Sequence, residues 1–339
     1  MKAILLSAPN RYGLADIPIP EPPDGWARVK VRMAAFCATD LEALTGGIPV
    51  RYPVIPGHEW VGVVDAVNGG DQSLVGRRVA GSNDVCCLTC RACRSGMWRD
   101  CPEFGEIGFA HDGAYAEYML VPCYALRVLP DCVSDVQAAM LEPLGVALGT
   151  FDKVEAKLGE TMLIIGAGSI GLNMLAAGKA AGLRRICVIE RTGGRLGIAQ
   201  DMGADYTFAS GHCDIEAELR RVYPDGPDIV VECTGAEPCV RLALRIAPKS
   251  GRVALAGYGR GLDMSIRADD IHIKNLRFVG AGNNWNVTDR CVDLVADGVI
   301  STENLCTHTA RIEQFDNAVR MAAERPPGFV KTLFDFRGE

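Results

Sequence analysis

The sequence predicts an α/β protein made of a β-rich domain and a domain with a doubly wound parallel sheet. Three observations point there. Residues 1–147 read as short β segments interrupted by Gly and Pro, whereas residues 148–281 alternate apolar strand candidates with helical stretches. Near the start of the second region, a Gly-x-Gly-x-x-Gly string follows an apolar run and opens a helical pattern. The tail from residue 282 is too short to fold alone and is expected to return to the first domain, giving domain limits of 1–147 with 282–339, and 148–281.

Each element rests on its own pattern. Residues 29–33 alternate with period two, as in a half-buried strand, and residues 60–64 form an apolar run bounded by turn formers. In the second region, residues 162–165, 186–189, 229–232 and 252–256 are strand candidates. Between them, residues 170–181, 195–202 and 238–246 carry helical patterns, the last stopping before Pro248. The tail adds helical patterns at 288–297 and 315–324, then a closing run at 330–336.

Composition narrows the function. With 48% hydrophobic and 23% charged residues over 339 positions, the chain can fold into two domains, each with a core. A net charge of −7 without a long basic run argues against nucleic-acid or anionic-membrane partners and leaves small molecules as the expected ligands. The apolar stretch in residues 1–9 is shorter than a signal-peptide core, and the longest apolar stretch, 162–172, falls short of the ~20 residues of a membrane span. A cytoplasmic location is therefore expected. There the 14 cysteines stay reduced and serve as metal ligands or small buried side chains.

Gly166-Ala167-Gly168-Ser169-Ile170-Gly171 has the features of a dinucleotide loop. The first glycine permits a tight turn, the second lets backbone approach a pyrophosphate, and the third allows helix and strand to pack closely. The helix N-terminus then offers free N–H groups to the anion. At the expected ~20 residues downstream, Glu190 ends the next strand candidate and is placed to bind a ribose diol, which favours NAD over NADP. Arg191 beside it is able to pair a 2′-phosphate, so NADP stays open.

Cys87, Cys90, Cys93 and Cys101 are spaced C-x2-C-x2-C-x7-C in a loop poor in strand formers. Four thiolates suit a tetrahedral structural zinc; an iron–sulfur cluster is the competing reading, since soft ligands do not discriminate alone. Cys86 is out of register with the set. A second group of possible ligands comprises Cys37 in Cys37-Ala38-Thr39-Asp40, His58 and Glu59 in Gly57-His58-Glu59, and Glu142 in Glu142-Pro143-Leu144. Cysteine, histidine and carboxylate together suit zinc with an open position, although by spacing alone a lone histidine is more often a satisfied loop or core residue, and such carboxylates are more often surface or capping groups.

These motifs together resemble the zinc-dependent medium-chain dehydrogenase/reductases, in the branch of sorbitol, threonine and glucose dehydrogenases. The stretch Asp112-Gly113-Ala114-Tyr115-Ala116-Glu117-Tyr118 and Glu232-Cys233-Thr234-Gly235 belong to the same likeness, which covers essentially the whole chain. The resemblance implies a GroES-like catalytic domain and a Rossmann cofactor domain, with two zinc ions per chain. It implies a catalytic zinc on Cys37, His58 and Glu59, with Glu142 as an exchanging ligand or close neighbour. It gives Asp40 the role of orienting the zinc histidine and Thr39 that of relaying the alcohol proton. Gly166, Gly168, Ser169, Ile170, Gly171, Glu190, Arg191, Arg195 and Thr234 form the expected cofactor-binding set. The implied reaction is oxidation of a secondary alcohol with hydride transfer to NAD, in a homodimer or homotetramer. Where the family often has a relay histidine five residues after the zinc cysteine, this chain has Glu42.

Within the family, Pro56-Gly57-His58-Glu59-Trp60, Asp71-Gln72-Ser73-Leu74-Val75-Gly76 and Gly105-Glu106-Ile107-Gly108-Phe109 are most similar to 2-deoxy-scyllo-inosamine dehydrogenases of aminoglycoside antibiotic biosynthesis. That likeness implies a ring alcohol of an aminocyclitol or amino sugar, oxidised before transamination. Gly280 and Ala281 stand where polyol-oxidising relatives tend to carry an arginine, which widens the expected pocket, and Asn283, Asn284 and Trp285 follow as possible sugar contacts. A polyol or L-threonine dehydrogenase is the alternative. A non-catalytic NAD- and zinc-binding member is the remote one, since it need not retain Cys37, Thr39, His58, Glu59 and Glu142 together. Cys86, Cys123, Cys132, Cys187, Cys213, Cys233, Cys239, Cys291 and Cys306 have no metal role in this reading, and burial is expected for most.

Overall fold

A computed structural model describes residues 1–191, 193–282 and 287–338; Asn283, Asn284 and Trp285 lie outside the described residues. The first region opens with the hairpin β1 (Lys2–Ala8) and β2 (Arg11–Asp16), followed by β3 (Trp26–Ala35), α1 (Ala38–Thr45) and β4 (Glu59–Asn68). It continues through β5 (Arg78–Gly81), β6 (Asp84–Val85), α2 (Arg91–Arg94), β7 (Gly105–Glu106), β8 (Tyr118–Pro122), β9 (Leu126–Val128) and α3 (Asp135–Ala139). β3 is the hub of this region, because it pairs antiparallel with both β4 and β8. Its inward positions Ala27, Val29 and Val31 are fully buried, as its period-two pattern requires.

The helix α4 (Leu141–Val154) crosses into the second region, burying Leu141, Leu144, Ala147 and Leu148 on its core-facing side. Each leucine contributes roughly 2 kcal/mol of burial. There the strands and helices alternate: β10 (Thr161–Ile165), α5 (Ser169–Ala180), β11 (Arg185–Glu190), α6 (Leu196–Asp201), β12 (Tyr206–Ala209), α7 (Ile215–Val222), β13 (Ile229–Glu232), α8 (Glu237–Ile246), β14 (Arg252–Leu255), α9 (Ala268–Lys274) and β15 (Arg277–Gly280). The six strands run parallel in the order β12-β11-β10-β13-β14-β15. The order reverses beside β10, so a crevice opens past the carboxyl ends of β10 and β13. The edge strands β12 and β15 lack fully buried positions and therefore show no apolar run in the sequence.

The tail carries α10 (Val287–Ala296), β16 (His308–Ala310), α11 (Phe315–Glu324) and β17 (Thr332–Asp335). β17 pairs antiparallel with β3, Leu333 opposite Ala35, which sets the chain's last strand beside its first long one. Phe315 and Phe334 then complete an aromatic cluster with Phe36 and Tyr115, with ring centroids 5.3 to 6.4 Å apart. Among the nine cysteines outside the metal groups, only Cys86, Cys187 and Cys291 are buried. This corrects the expectation of burial for most. Cys132 and Cys213 are exposed because they fall in connections, before α3 and before α7, and not on a core-facing element.

Candidate active site and metal centres

The register of two neighbouring strands builds the first metal group. Ala35 at the end of β3 faces Glu59 at the start of β4, so Cys37 and His58, just beyond the paired ends, converge. Ligand atoms of Cys37, His58 and Glu59 all lie within 4.8 Å of one another. Gly57 has φ +101°, and a Cβ there would come within 2.7 Å of the Tyr115 ring, so only glycine lets the His58 loop lie on that ring.

Around the group, buried Asp40 organises the donors. One carboxylate oxygen accepts from the Cys37 backbone N–H at 2.8 Å and from the Tyr115 hydroxyl at 2.5 Å. The other approaches His58 Nδ1 at 3.3 Å without the alignment of a hydrogen bond, leaving both atoms otherwise unpartnered. Burial opposes charge on His58, but the fields of Asp40 and then Cys37 outweigh it and hold the imidazole well above its usual range. Such an excess of negative charge around an unsatisfied imidazole fits a cation at this place. Thr39, on the first turn of α1, places its hydroxyl 3.5 Å from Cys37 Sγ.

Glu142 sits on the first turn of α4, reachable by solvent yet enclosed by protein. Burial, tempered by His58 and reinforced by Glu59 and Glu106, pushes its carboxyl up to about 7. Its field reaches the group although it lies outside the 4.8 Å cluster. Three neighbours are absent from the site expected from sequence. Buried Lys331, just before β17, donates to both carboxylate oxygens of Glu59. Tyr115 braces Asp40, and Phe109 lies with its ring centroid 5.0 Å from that of His58. A lysine inside the apolar run 330–336 is the signal that points to Lys331. Glu42 holds Arg260, in the loop after β14, at 3.1 Å.

The second metal group gathers Cys87, Cys90, Cys93 and Cys101, with all four sulfurs within 4.8 Å of one another. Backbone N–H groups of Cys90 and Cys93 donate to the sulfurs of Cys87 and Cys90 at 3.3 and 3.4 Å, which favours thiolate. Hydrogen bonding from Thr89 helps bring the Cys87 thiol down to about 6. Four mutually close sulfurs without a disulfide fit a closed tetrahedral ion.

The dinucleotide loop joins β10 to α5. Gly166 has φ +106°, and a Cβ at Gly171 would meet the Gly166 carbonyl at 1.9 Å, so helix and loop close only with glycine at both places. In front of Gly168 the nearest heavy atom to a Cβ position is Arg195 Nη1, 3.6 Å away, which leaves room for a phosphate. Ser169 Oγ at the head of α5 is buried without a partner, as a hydroxyl awaiting an anion would be. Ile170 packs on the core. Glu190 ends β11, next to exposed Arg191. The Thr234 hydroxyl is already committed to Glu232, so this residue shapes the crevice through its methyl group, which a Cβ on Gly166 would meet at 2.7 Å.

A parallel sheet with a dinucleotide crevice, joined to a β domain carrying one open and one closed metal group, defines a nicotinamide-dependent zinc dehydrogenase. Residues 23–131 match the alcohol dehydrogenase GroES-like domain and residues 169–296 the zinc-binding dehydrogenase domain. The chain belongs to the zinc-type medium-chain alcohol dehydrogenases, enzymes that act on CH–OH groups. It is 32% identical to L-threonine 3-dehydrogenase of Serratia proteamaculans, over 93% of this chain and 94% of the relative. The alcohol dehydrogenase RspB of Escherichia coli CFT073, solved with NADH, superposes with a TM-score of 0.92 at 29% identity, covering 99% of both chains. A zinc-binding dehydrogenase of Sinorhizobium meliloti 1021, solved with NADP, gives a TM-score of 0.91 at 29% identity over 98% of both. No helix among the described residues is long and apolar enough to cross a membrane.

Proposed function

We propose that this chain oxidises a ring secondary hydroxyl of an aminocyclitol or amino sugar to a ketone, passing hydride to NAD, ahead of a transamination in antibiotic biosynthesis. The observation that carries the substrate class is the run Gly280-Ala281-Gly282 at the end of β15, which adds no bulk beyond a methyl group. A Cβ on Gly282 would stand 3.1 Å from Lys153 Nζ, and that ammonium donates to the Gly280 carbonyl at 3.1 Å. A wall of small residues suits a ring substrate better than an open-chain polyol. Nearby carboxyls, Glu106 and Glu142 among them, suit a substrate bearing an ammonium group.

In this reading Cys37, His58 and Glu59 hold the catalytic zinc, with Glu142 as an exchanging ligand or close neighbour and Lys331 engaged with Glu59. Bound there, zinc lowers the pKa of the substrate hydroxyl. Asp40 fixes the ring of His58, and the Thr39 hydroxyl takes the alcohol proton onward. Glu42, engaged with Arg260, replaces the histidine that ends the relay in relatives. Cys87, Cys90, Cys93 and Cys101 hold the structural zinc. The functional division is 1–147 with 282–339 for catalysis and 148–281 for the cofactor, in a cytoplasmic protein. The open edge β15, with Ile273 and Leu262 exposed to 68% and 72%, supports assembly as a homodimer or homotetramer.

The test offers the purified enzyme NAD with aminocyclitols, amino sugars, sorbitol and L-threonine, and follows reduced nicotinamide by absorbance. Turnover confined to the amino-ring alcohols supports the proposal. Silence there, with oxidation of sorbitol or threonine, replaces it with the second reading, which the 32% identity to a threonine dehydrogenase favours. The presence of Cys37, Thr39, His58, Glu59 and Glu142 together argues against a non-catalytic role.

A further inference from the structure

His58 and Glu59 are consecutive, and a regular strand would point their side chains to opposite faces. Their ligand atoms nevertheless lie within 4.8 Å of each other and of Cys37 Sγ, so the peptide joining them is turned out of the pleat. His58 stands just before β4, beyond the last β3–β4 pair, Ala35 opposite Glu59. A donor for its carbonyl comes instead from Asn83, in the connection between β5 and β6. Asn83 is 4% exposed; its Nδ2 donates to the His58 carbonyl at 2.5 Å, and its Oδ1 accepts from Trp60 Nε1 at 3.0 Å. An indole only donates and a carbonyl only accepts, so this orientation of the amide is the one that satisfies both. The Asn83 carbonyl in turn accepts from the Ile107 N–H at 2.9 Å, and Phe109, two residues further on, lies against the His58 ring. One buried residue therefore grips the ligand stretch directly and supports the turn that covers it.

We propose that Asn83 is a positioning residue for the group of Cys37, His58 and Glu59: its amide fixes the peptide between His58 and Glu59 and so aims both side chains at one ion. Rotation of that planar peptide changes ψ of His58 and φ of Glu59 together, and with them the angle between the two ligands. Hydrogen bonds that hold metal ligands in place in this way set both affinity and coordination geometry. Asn83 also links the two metal groups, since β6 begins at Asp84 and Cys87 follows it. This inference rests on the reading of Cys37, His58 and Glu59 as a metal site, which the ion content of the unaltered protein tests separately.

The experiment compares the zinc-loaded protein with three variants. Asn83→Leu keeps the side-chain volume and removes both bonds, Asn83→Ala removes them by truncation, and Trp60→Phe leaves the amide on the His58 carbonyl. Loss of each ion to a competing chelator gives its affinity, and the visible absorption is recorded after the ion on Cys37, His58 and Glu59 is exchanged for cobalt. Both Asn83 variants are expected to hold that ion about tenfold less tightly and to shift the cobalt bands, while Trp60→Phe stays within about twofold. The ion of the four-cysteine lobe is expected to be held as in the unaltered protein by all three. Where leucine prevents folding, the alanine variant decides. Unchanged affinity and cobalt bands in the Asn83 variants overturn the proposal, as does an equal loss from all three variants with a lowered Tm, which assigns Asn83 to packing. Unaltered protein that carries no ion beyond that of the lobe overturns instead the reading of the catalytic group.

Discussion

Lys331 and Glu59 are 272 positions apart in the chain, yet the Lys331 ammonium donates to both oxygens of the Glu59 carboxylate. Both are buried, at 3% and 0% side-chain exposure. The tail strand therefore delivers a fixed positive charge to the edge of the metal group. Burial opposes the ammonium charge, and Glu59 first among its neighbours restores it, raising the proton affinity above that of a free lysine.

Removing one partner of that pair leaves a buried charge uncompensated. In zinc-free protein, Lys331→Met is expected to cost about 3 kcal/mol, and the double variant Lys331→Met with Glu59→Gln to recover much of it. Thermal unfolding of the three proteins after dialysis against chelator checks this. A double variant no more stable than Lys331→Met would show that the lysine acts through packing alone.

Cys37→Ser or His58→Ala should abolish turnover while leaving NADH binding within about twofold, because each strips the catalytic group and spares the dinucleotide crevice. Elemental analysis should then fall from two zinc ions per chain to one. Retained activity in either variant would refute the assignment.

Replacement of Cys90 or Cys93 by serine should release the other ion and lower the Tm by several degrees, since structural zinc supplies folding energy to the lobe. Iron in place of zinc in the unaltered protein would reopen the cluster reading.

Thr39→Val should lower kcat by about a hundredfold with little change in KM, the size expected for loss of a positioned proton carrier. Zinc content and NADH affinity should remain unchanged. A comparable loss in NADH affinity would point instead to a disturbed cleft.

Asp84 offers a pH test. Burial raises its carboxyl from 3.8 to about 6, against the pull of Arg99. The folded protein thus holds this proton more firmly than the unfolded chain, so the contribution is full at low pH and is lost as pH rises through about 6. Asp84→Asn should therefore stabilise by about 1 kcal/mol at pH 7.5, with a smaller gain at pH 5. A larger gain at pH 5, read as Tm, would contradict the sign.

Much of the fold was legible because its signals are local. The buried strands β10, β11 and β13 carry the unbroken apolar runs 162–165, 186–189 and 229–231, and the glycine string between β10 and α5 has a steric need visible in three letters. β12 and β15 were not legible, since each is an edge strand with exposed positions that dilute the apolar pattern. The same contrast runs through the site. Four cysteines within one short loop announce a metal by spacing, whereas Cys37, the pair His58-Glu59 and Glu142 lie on three separate stretches and are grouped by family resemblance.

The sequence by itself determined the fold class, the glycine loop between β10 and α5 and the spacing of the four-cysteine group, because backbone sterics and ligand chemistry depend on residue type and short spacing. Tertiary structure alone decided which charges meet. The register of β3 against β4 set Cys37 beside His58, β17 carried Lys331 to Glu59, and the loop after β14 brought Arg260 to Glu42. Those encounters join residues far apart in the chain, and electrostatic energy depends on their separation in space, which no local pattern records.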